Sequence, residues 1–323
     1  MVPVGWGVLA IVGWLWALAM LVVCALRGLH IDSTTQEVAI VSVTLELLLP
    51  SAPLTLVAVW RRRWALAAVS AVALTCLIVW EGPVLYPVAH APAAIGTARI
   101  RLFDANVAQD NFDLTGIASE IASDRPDVVS LEELTPPAMA SLDRSGVLER
   151  YKWRLVRASY GAGGMGVWAD VPLTGVALWT AGFGQVEIDA WLHPDGTPPV
   201  RLDVVHVYAP VGHDEPADWR AQLARVASHL QHEPRPLLVA GDFNATSDDG
   251  PFQRILSLGL DDAAVLAGRG WEMTWPRNQA WVIPYMRIDH VLLSTGLTVT
   301  DYRLGIGAGS DHRPVIVGIA FTR

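Results

Sequence analysis

"AGDFNATSDD" (residues 240–249) closes an apolar run, Leu237-Leu238-Val239-Ala240, against a glycine, an acid, an aromatic and an amide. Taken alone, Gly241, Asp242 and Asn244 describe a loop tip, because Gly, Asp and Asn are ordinary turn formers. A second reading has a buried strand delivering Asp242 and Asn244 to a reaction site. The rest of the chain decides between the two.

Apolar, β-branched stretches recur over residues 98–107, 127–131, 165–169, 200–208, 237–240, 288–293 and 315–321. Helical spacing appears over 114–123 and 216–232, where Trp219, Leu223, Val226 and Leu230 repeat. Strands outnumber helices, which predicts an α/β fold: a four-layer α/β sandwich of two packed β-sheets flanked by helices. Several of these strands end in the same chemistry. The first ends at Asn106, the second at Glu132-Glu133, and the fourth carries His206 and Tyr208. Asp242 and Asn244 close the fifth, Asp289 stands on the sixth, and Asp311-His312 precedes the last. Carboxylates and amides gathered at one rim form a hard-oxygen site suited to Mg²⁺. Carboxylate and imidazole together supply general acid and base work on a phosphoryl group.

"DVVSLEEL" (127–134), "GDFN" (241–244), "RIDHVLLS" (287–294) and "SDHRPV" (310–315), in this order, resemble the endonuclease/exonuclease/phosphatase family. That family holds deoxyribonuclease-like and sphingomyelinase-like Mg-dependent phosphoesterases, and the resemblance covers roughly residues 99–321. It implies that Glu133 is the principal Mg²⁺ ligand, with Asn106 beside it and Asp311 contributing, and with Mn²⁺ as the alternative ion. Asp242 would orient or activate the attacking water, and Asn244 would hold the phosphate or that water. His312 would contact the phosphate or take a proton, its tautomer fixed by Asp289. His206 would bind the scissile phosphate or protonate the leaving group, while Tyr208 stands at a Tyr-x-Pro spacing that some members use instead. Two departures stand out. Glu132 occupies a place where the family usually has Gln, pointing either into the site or to the opposite sheet face. In "GVWADVPL" (166–173), Ala169-Asp170 replaces a Ser-Arg pair, which puts substrate contacts from that strand in question.

The front of the chain is of another kind. Residues 5–26 form 22 uninterrupted apolar residues, 38–60 a second apolar stretch containing Glu46, and 64–80 a third. About 20 apolar residues span a bilayer as helix, so the expectation is three transmembrane helices in an anchor over 1–80. A Pro/Gly linker over 81–98 and a catalytic domain over 99–323 follow. Glu46 reads either as an intramembrane functional carboxylate or as a packing residue. Arg61-Arg62-Arg63 between the second and third stretches predicts a cytoplasmic loop, hence a cytoplasmic N-terminus and a catalytic domain outside a cell membrane crossed several times. Cys24 and Cys76 both fall in predicted spans, leaving the exported part without a disulfide.

Charge narrows the substrate. Four of 23 basic and four of 32 acidic residues precede residue 90, so 19 basic and 28 acidic residues, and the whole −9, lie beyond it. Duplex binding draws on many Lys and Arg contacts to phosphates, and Lys152 is the chain's one lysine. The expected function is therefore a membrane-anchored, metal-dependent phosphoesterase acting by in-line water attack on a lipid-linked or small phosphoester. Two alternatives stand beside it: a nuclease on DNA or RNA, served by a local patch of Arg220, Arg225, Arg277, Arg287 and Arg313, and a catalytically silent binding module on a membrane anchor. The intact set of site residues argues against the last. "GRGWEMTWPRNQAW" (268–281) reads equally as a substrate- or membrane-facing lip and as packed aromatics.

Overall fold

The computed structural model describes residues 4–86, 99–211, 215–278 and 281–322. Five helices come first: α1 (Val4–Gly28), α2 (Thr35–Val41), α3 (Thr44–Leu48), α4 (Ser51–Trp60) and α5 (Trp64–Leu85). Gly7–Gly28 and Trp64–Leu85, 22 residues each, are long and apolar enough to cross a membrane.

Between them the structure departs from the single span expected over 38–60. α2 meets the following helical rod at a bend of 67°, for local and for distant reasons. Thr34 accepts from the Glu37 amide at 3.2 Å while the Glu37 carboxylate accepts from the Thr34 amide at 2.9 Å, a capping box that starts α2 afresh. At its other end Val43 leaves helical geometry (φ −116, ψ 33), and the Ser42 hydroxyl donates to Asp249, 3.1 Å away and 207 residues on in sequence. The helices able to cross number two, or three when the bent pair is counted as one span. The linker also starts later than expected, since Glu81 to Leu85 belong to α5; the rest of that stretch, 87–98, lies outside the described residues.

The remainder builds two sheets. The first elements are β1 (Arg99–Asn106), α6 (Thr115–Asp124), β2 (Val128–Glu132), α7 (Pro136–Ser145), β3 (Trp153–Arg157) and β4 (Met165–Ala169). Then come β5 (Leu173–Gly182), β6 (Gln185–Leu192), β7 (Val200–His206), α8 (Glu215–Leu230), β8 (Leu237–Asp242) and α9 (Gly250–Leu256). The chain closes with β9 (Leu260–Asp262), α10 (Ala263–Leu266), β10 (Asp289–Ser294), β11 (Leu297–Leu304) and β12 (Val315–Phe321). One sheet has the order β11-β12-β1-β2-β4-β3 and the other β5-β6-β7-β8-β10-β9. Leu102, Val128 and Val167 of the first face Val204, Ala240 and Val291 of the second in a shared apolar core. Outside it, Phe103, Val129 and Leu131 pack on α6 and α7, and Val205, Val207 and Val239 pack on α8 and α9. The four layers follow from strands that are apolar on both faces.

The N-terminal helices and this body share an interface. Val38 of α2, 3% exposed, joins Val207, Trp219, Leu223 and Phe243 in one cluster. Arg27 at the end of α1 pairs with Asp248 at 2.5 Å, and Arg220 of α8 donates to the Asp32 carbonyl at 2.9 Å. Near the end of α5, a Cβ at Gly270 would lie 2.1 Å from the Val84 carbonyl oxygen. Arg61 and Arg63, by contrast, border a cavity with Leu9 and Gly13 of α1, in the half of that helix away from Arg27.

Candidate active site

Strand register explains why the motif residues meet. β1 and β2 run parallel, as do β7 and β8, so each pair presents its C-terminal ends at one rim. His206 lies opposite Asp242 across β7 and β8, and Asp242 opposite Asp289 across β8 and β10. In the other sheet Asn106 is in register with Glu132. Gly241 precedes Asp242 because no side chain fits: its φ is +135, and a Cβ would sit 1.9 Å from the Val205 carbonyl oxygen. The question posed by the apolar run ending in Gly-Asp-Phe-Asn is thus answered by geometry. Beyond the strand ends, Glu133 and Asn244 adopt left-handed backbone (φ +55 and +47), a conformation few non-glycine residues take and one that collects at functional loops.

The side chains form one hydrogen-bonded array. Asn106 Nδ2 donates to Glu133 Oε1 at 3.1 Å and to Asp242 Oδ2 at 3.0 Å, bridging the two sheets. Glu133 Oε2 accepts from the Gln109 amide at 2.7 Å. Asp242 also accepts from the Asn244 amide at 2.8 Å and from its Nδ2 at 3.2 Å. That same Nδ2 donates to the Val207 carbonyl, so Asn244 braces Asp242. His312 Nδ1 lies 2.9 Å from Asp289 Oδ2, leaving Nε2 3.8 Å from Asp242 and 3.9 Å from Asp311. Ser310 donates to the Asn106 carbonyl at 2.8 Å and accepts from the His312 amide at 3.0 Å, pinning this loop over the rim. His206 Nδ1 donates to the Ala162 carbonyl at 3.0 Å and turns Nε2 toward Glu133 (3.6 Å) and Asp242 (3.8 Å). Tyr208 sits instead at the cavity margin with its hydroxyl tied to the Phe183 carbonyl at 2.8 Å. Of these two, only His206 reaches the carboxylates.

A family model described as endonuclease/exonuclease/phosphatase family matches residues 96–312. The chain belongs to the endonuclease/exonuclease/phosphatase family. Solved structures with the same fold include D. rerio TDP2 complexed with a single-strand DNA product (20% identity, TM-score 0.57, covering 69% of this chain and 99% of that one). The human Nocturnin catalytic domain with a bound sulfate is similar at 20% identity and TM-score 0.54, covering 69% and 95%. An endonuclease/exonuclease/phosphatase from Beutenbergia cavernae is similar at 18% and 0.53, covering 69% and 72%. No curated protein matches.

Within this family fold, burial and neighbouring charge tune the site. Burial first, and the Asp289 charge second, push the Asp242 carboxyl up to about 8. Burial opposes charge on His312, yet Asp289 and Asp242 outweigh it and raise the imidazole to about 10, so it is a cation at neutral pH. Burial lowers His206, with Glu133 pulling the other way. Beneath them lies a further layer. Glu132 points into the inter-sheet interior, fully buried, with neither side-chain oxygen hydrogen-bonded. Burial and the charge of Asp104 raise its pKa well above the ordinary value, which favours its neutral form. The replacement of Gln by Glu at this position is thereby nearly isosteric and uncharged.

A pH-dependent prediction follows from Glu132. An unfolded chain releases this proton above pH ~4.3, whereas the folded chain retains it, so the stabilisation is full below that pH and is lost as pH rises toward the folded pKa. Glu132→Gln is expected to melt close to wild type near pH 4 and progressively above it from pH 5 to 8. Melting curves across that range check this, and a constant difference in Tm would refute it.

Other expectations need correction. Asp170 lies at the far end of β4 from the rim, where it pairs with Arg150 at 2.6 Å, so the missing Ser-Arg pair does not bear on this site. Four of the five arginines of the expected patch are engaged within the protein: Arg287 is buried against Asp262, Arg225 donates to the Ala181 carbonyl, Arg313 to that of Gly305, and Arg220 faces Asp32; Arg277 stays beside the site, its backbone amide donating to the Asp311 carbonyl at 2.8 Å. Trp275, whose Nε1 donates to Asp311 at 3.0 Å, lines the site from the Trp-rich loop, while Trp281 in the same loop is 98% exposed. Sequence reading missed α2, whose Thr35, Val38, Ala39 and Ser42 line the same cavity of about 1040 Å³. Nothing in local sequence signals a contact between helix and site so far apart in the chain.

Proposed function

We propose that this chain is a membrane-anchored, divalent-cation-dependent phosphoesterase that cleaves a lipid-linked or small phosphoester by in-line attack of water. The observation that carries it is the convergence of Glu133, Asp242 and the Asp289–His312 pair on one cavity. The donor set fits a hard cation. Glu133 and Asp242 meet through Asn106 and Asp311 borders the same cavity, carboxylate oxygens of the kind Mg²⁺ and Mn²⁺ take. Buried carboxylates here outnumber the one imidazolium, and among the described residues no Lys or Arg lines the cavity. Mg²⁺ or Mn²⁺, when bound, supplies positive charge to the phosphoryl and leaving oxygens. Glu133 and Asp311 would hold it, with Asn106 fixing the Glu133 carboxylate. Asp242, its own proton displaced by the positive charge of a bound cation, would accept the proton of the attacking water. Asn244 holds Asp242 in place, and the cationic His312 binds a phosphoryl oxygen. His206, with its Nδ1 proton committed to Ala162, presents Nε2 to the scissile group.

The D. rerio TDP2 structure contains a DNA product, which keeps a nuclease as the second reading. A cavity edged by Asp110, Glu215 and Asp218 without Lys or Arg favours a compact phosphoester over a polyanion. An extracytoplasmic catalytic domain is the topology proposed here, supported by the docking of the catalytic body on the Arg27 end of α1 with Arg61 and Arg63 toward the other end. With α1, the α3–α4 rod and α5 each crossing, the arginine loop is inside and the catalytic domain outside.

One experiment addresses substrate and side together. Intact cells expressing the full chain are expected to hydrolyse the membrane-impermeant ester bis(p-nitrophenyl) phosphate as fast as lysed cells, and to leave external supercoiled plasmid unnicked. Activity that appears only on lysis would reverse the topology. Efficient nicking with a slow ester would install the nuclease reading.

A further inference from the structure

The catalytic cavity is not built by the catalytic domain alone. Thr35, Val38, Ala39 and Ser42 border it, a spacing of three and four residues that places them on one face of α2. Val38 is rooted in the apolar cluster beneath, and Ser42 is tied to Asp249, in the loop that continues from Asn244. The helix is thereby fixed as a wall. Ala39, at its centre, is exposed and small. Phe183, Tyr208, Pro210, Val211 and Met286 also line the cavity, an apolar portion of a rim that elsewhere carries Asp110, Glu215 and Asp218. The volume, about 1040 Å³, far exceeds what a phosphoryl group occupies, leaving room for an apolar substituent. One turn beyond Ser42 the chain enters the apolar α3–α4 rod, where Leu49, Leu56 and Val57 are more than half exposed. The apolar rod thus begins close to the site wall in sequence, past Ser42 and the exposed Glu46.

We propose that α2 is the substrate-selecting wall of this site, along which the long alkyl group of a bilayer-resident phosphoester passes into the cavity, with Ala39 as the contact that sets its width. This rests on the phosphoesterase reading and adds to it a specificity element supplied by the anchor. The alkyl chain of such an ester is already out of water in the bilayer, so a wall of this kind discriminates by how the chain fits against it rather than by its headgroup.

The test uses the full chain in detergent micelles with Mg²⁺ and two chromogenic phosphodiesters that differ in one substituent, methyl p-nitrophenyl phosphate and hexadecyl p-nitrophenyl phosphate. The readout is the ratio of kcat/KM for the hexadecyl over the methyl ester. Wild type is expected to show a ratio of at least ten. The series Ala39→Val, Ala39→Leu and Ala39→Trp is expected to lower the ratio stepwise, tenfold or more at Trp; should the Trp variant not fold, the Val and Leu steps still report. A ratio near one in wild type, or one that stays constant along the series, overturns the role of α2 while leaving the phosphoesterase reading intact. Hydrolysis of neither ester overturns that reading and this inference with it.

Discussion

Asp242→Ala is expected to lower phosphoester turnover by about three orders of magnitude, within the range that removal of a positioned general base produces. The side chain is fully buried and accepts from Asn106, from the Asn244 amide and from Asn244 Nδ2. Its loss leaves those donors short of a partner, a cost of about 1–3 kcal/mol, but it also removes a carboxylate pressed against Asp289. The two effects oppose each other, so the domain stays folded and the lost rate reports chemistry. His312→Ala should cost a similar factor, and the double variant little more than either alone, because groups acting on one transition state are not additive. Steady-state kinetics with circular dichroism on the same samples check this. A single variant within tenfold of wild type would remove Asp242 from the mechanism.

Chelation is expected to abolish activity outright, with Mg²⁺ or Mn²⁺ restoring it. Glu133 is the residue on which this depends most. Its left-handed backbone turns the carboxylate out of the β2 ladder, and Gln109 and Asn106 then fix its two oxygens. Glu133→Gln keeps the shape and loses the charge, so the Mg²⁺ concentration for half-maximal rate should rise by at least about tenfold. Titration of Mg²⁺ against rate measures it directly. Full activity in excess EDTA, or an unchanged Mg²⁺ midpoint in the variant, would show that the carboxylates serve another purpose.

What was legible in the sequence follows burial. β1, β2, β4, β7, β8, β10 and β12 are nearly or wholly buried along their length and read as continuous apolar runs. β3, β5 and β11 mix exposed and buried positions, and bulges interrupt the pairing of β5 and β11, which erases the period-two signal. Site residues were legible because each ends a buried strand or starts one. The direction of Glu132 was not, since one position along a strand decides which face a side chain takes. The break before α3 escaped for another reason. Hydropathy sums residues 38–60 into one span, whereas the bend is fixed by a capping box and by a partner 207 residues away.

The contacts of Arg27 with Asp248, Ser42 with Asp249 and Asp32 with Arg220 hold the catalytic body at three separate points. A domain swinging on a flexible tether samples a volume, and its encounter rate scales with the bulk concentration of what it meets. A body bolted at three points samples almost none. On the proposed reading of a membrane-anchored enzyme with a lipid-linked substrate, the relevant reactant density is two-dimensional, the mole fraction of substrate in the surrounding leaflet, so diluting that leaflet with inert lipid should slow it even when the total amount of substrate per millilitre is unchanged.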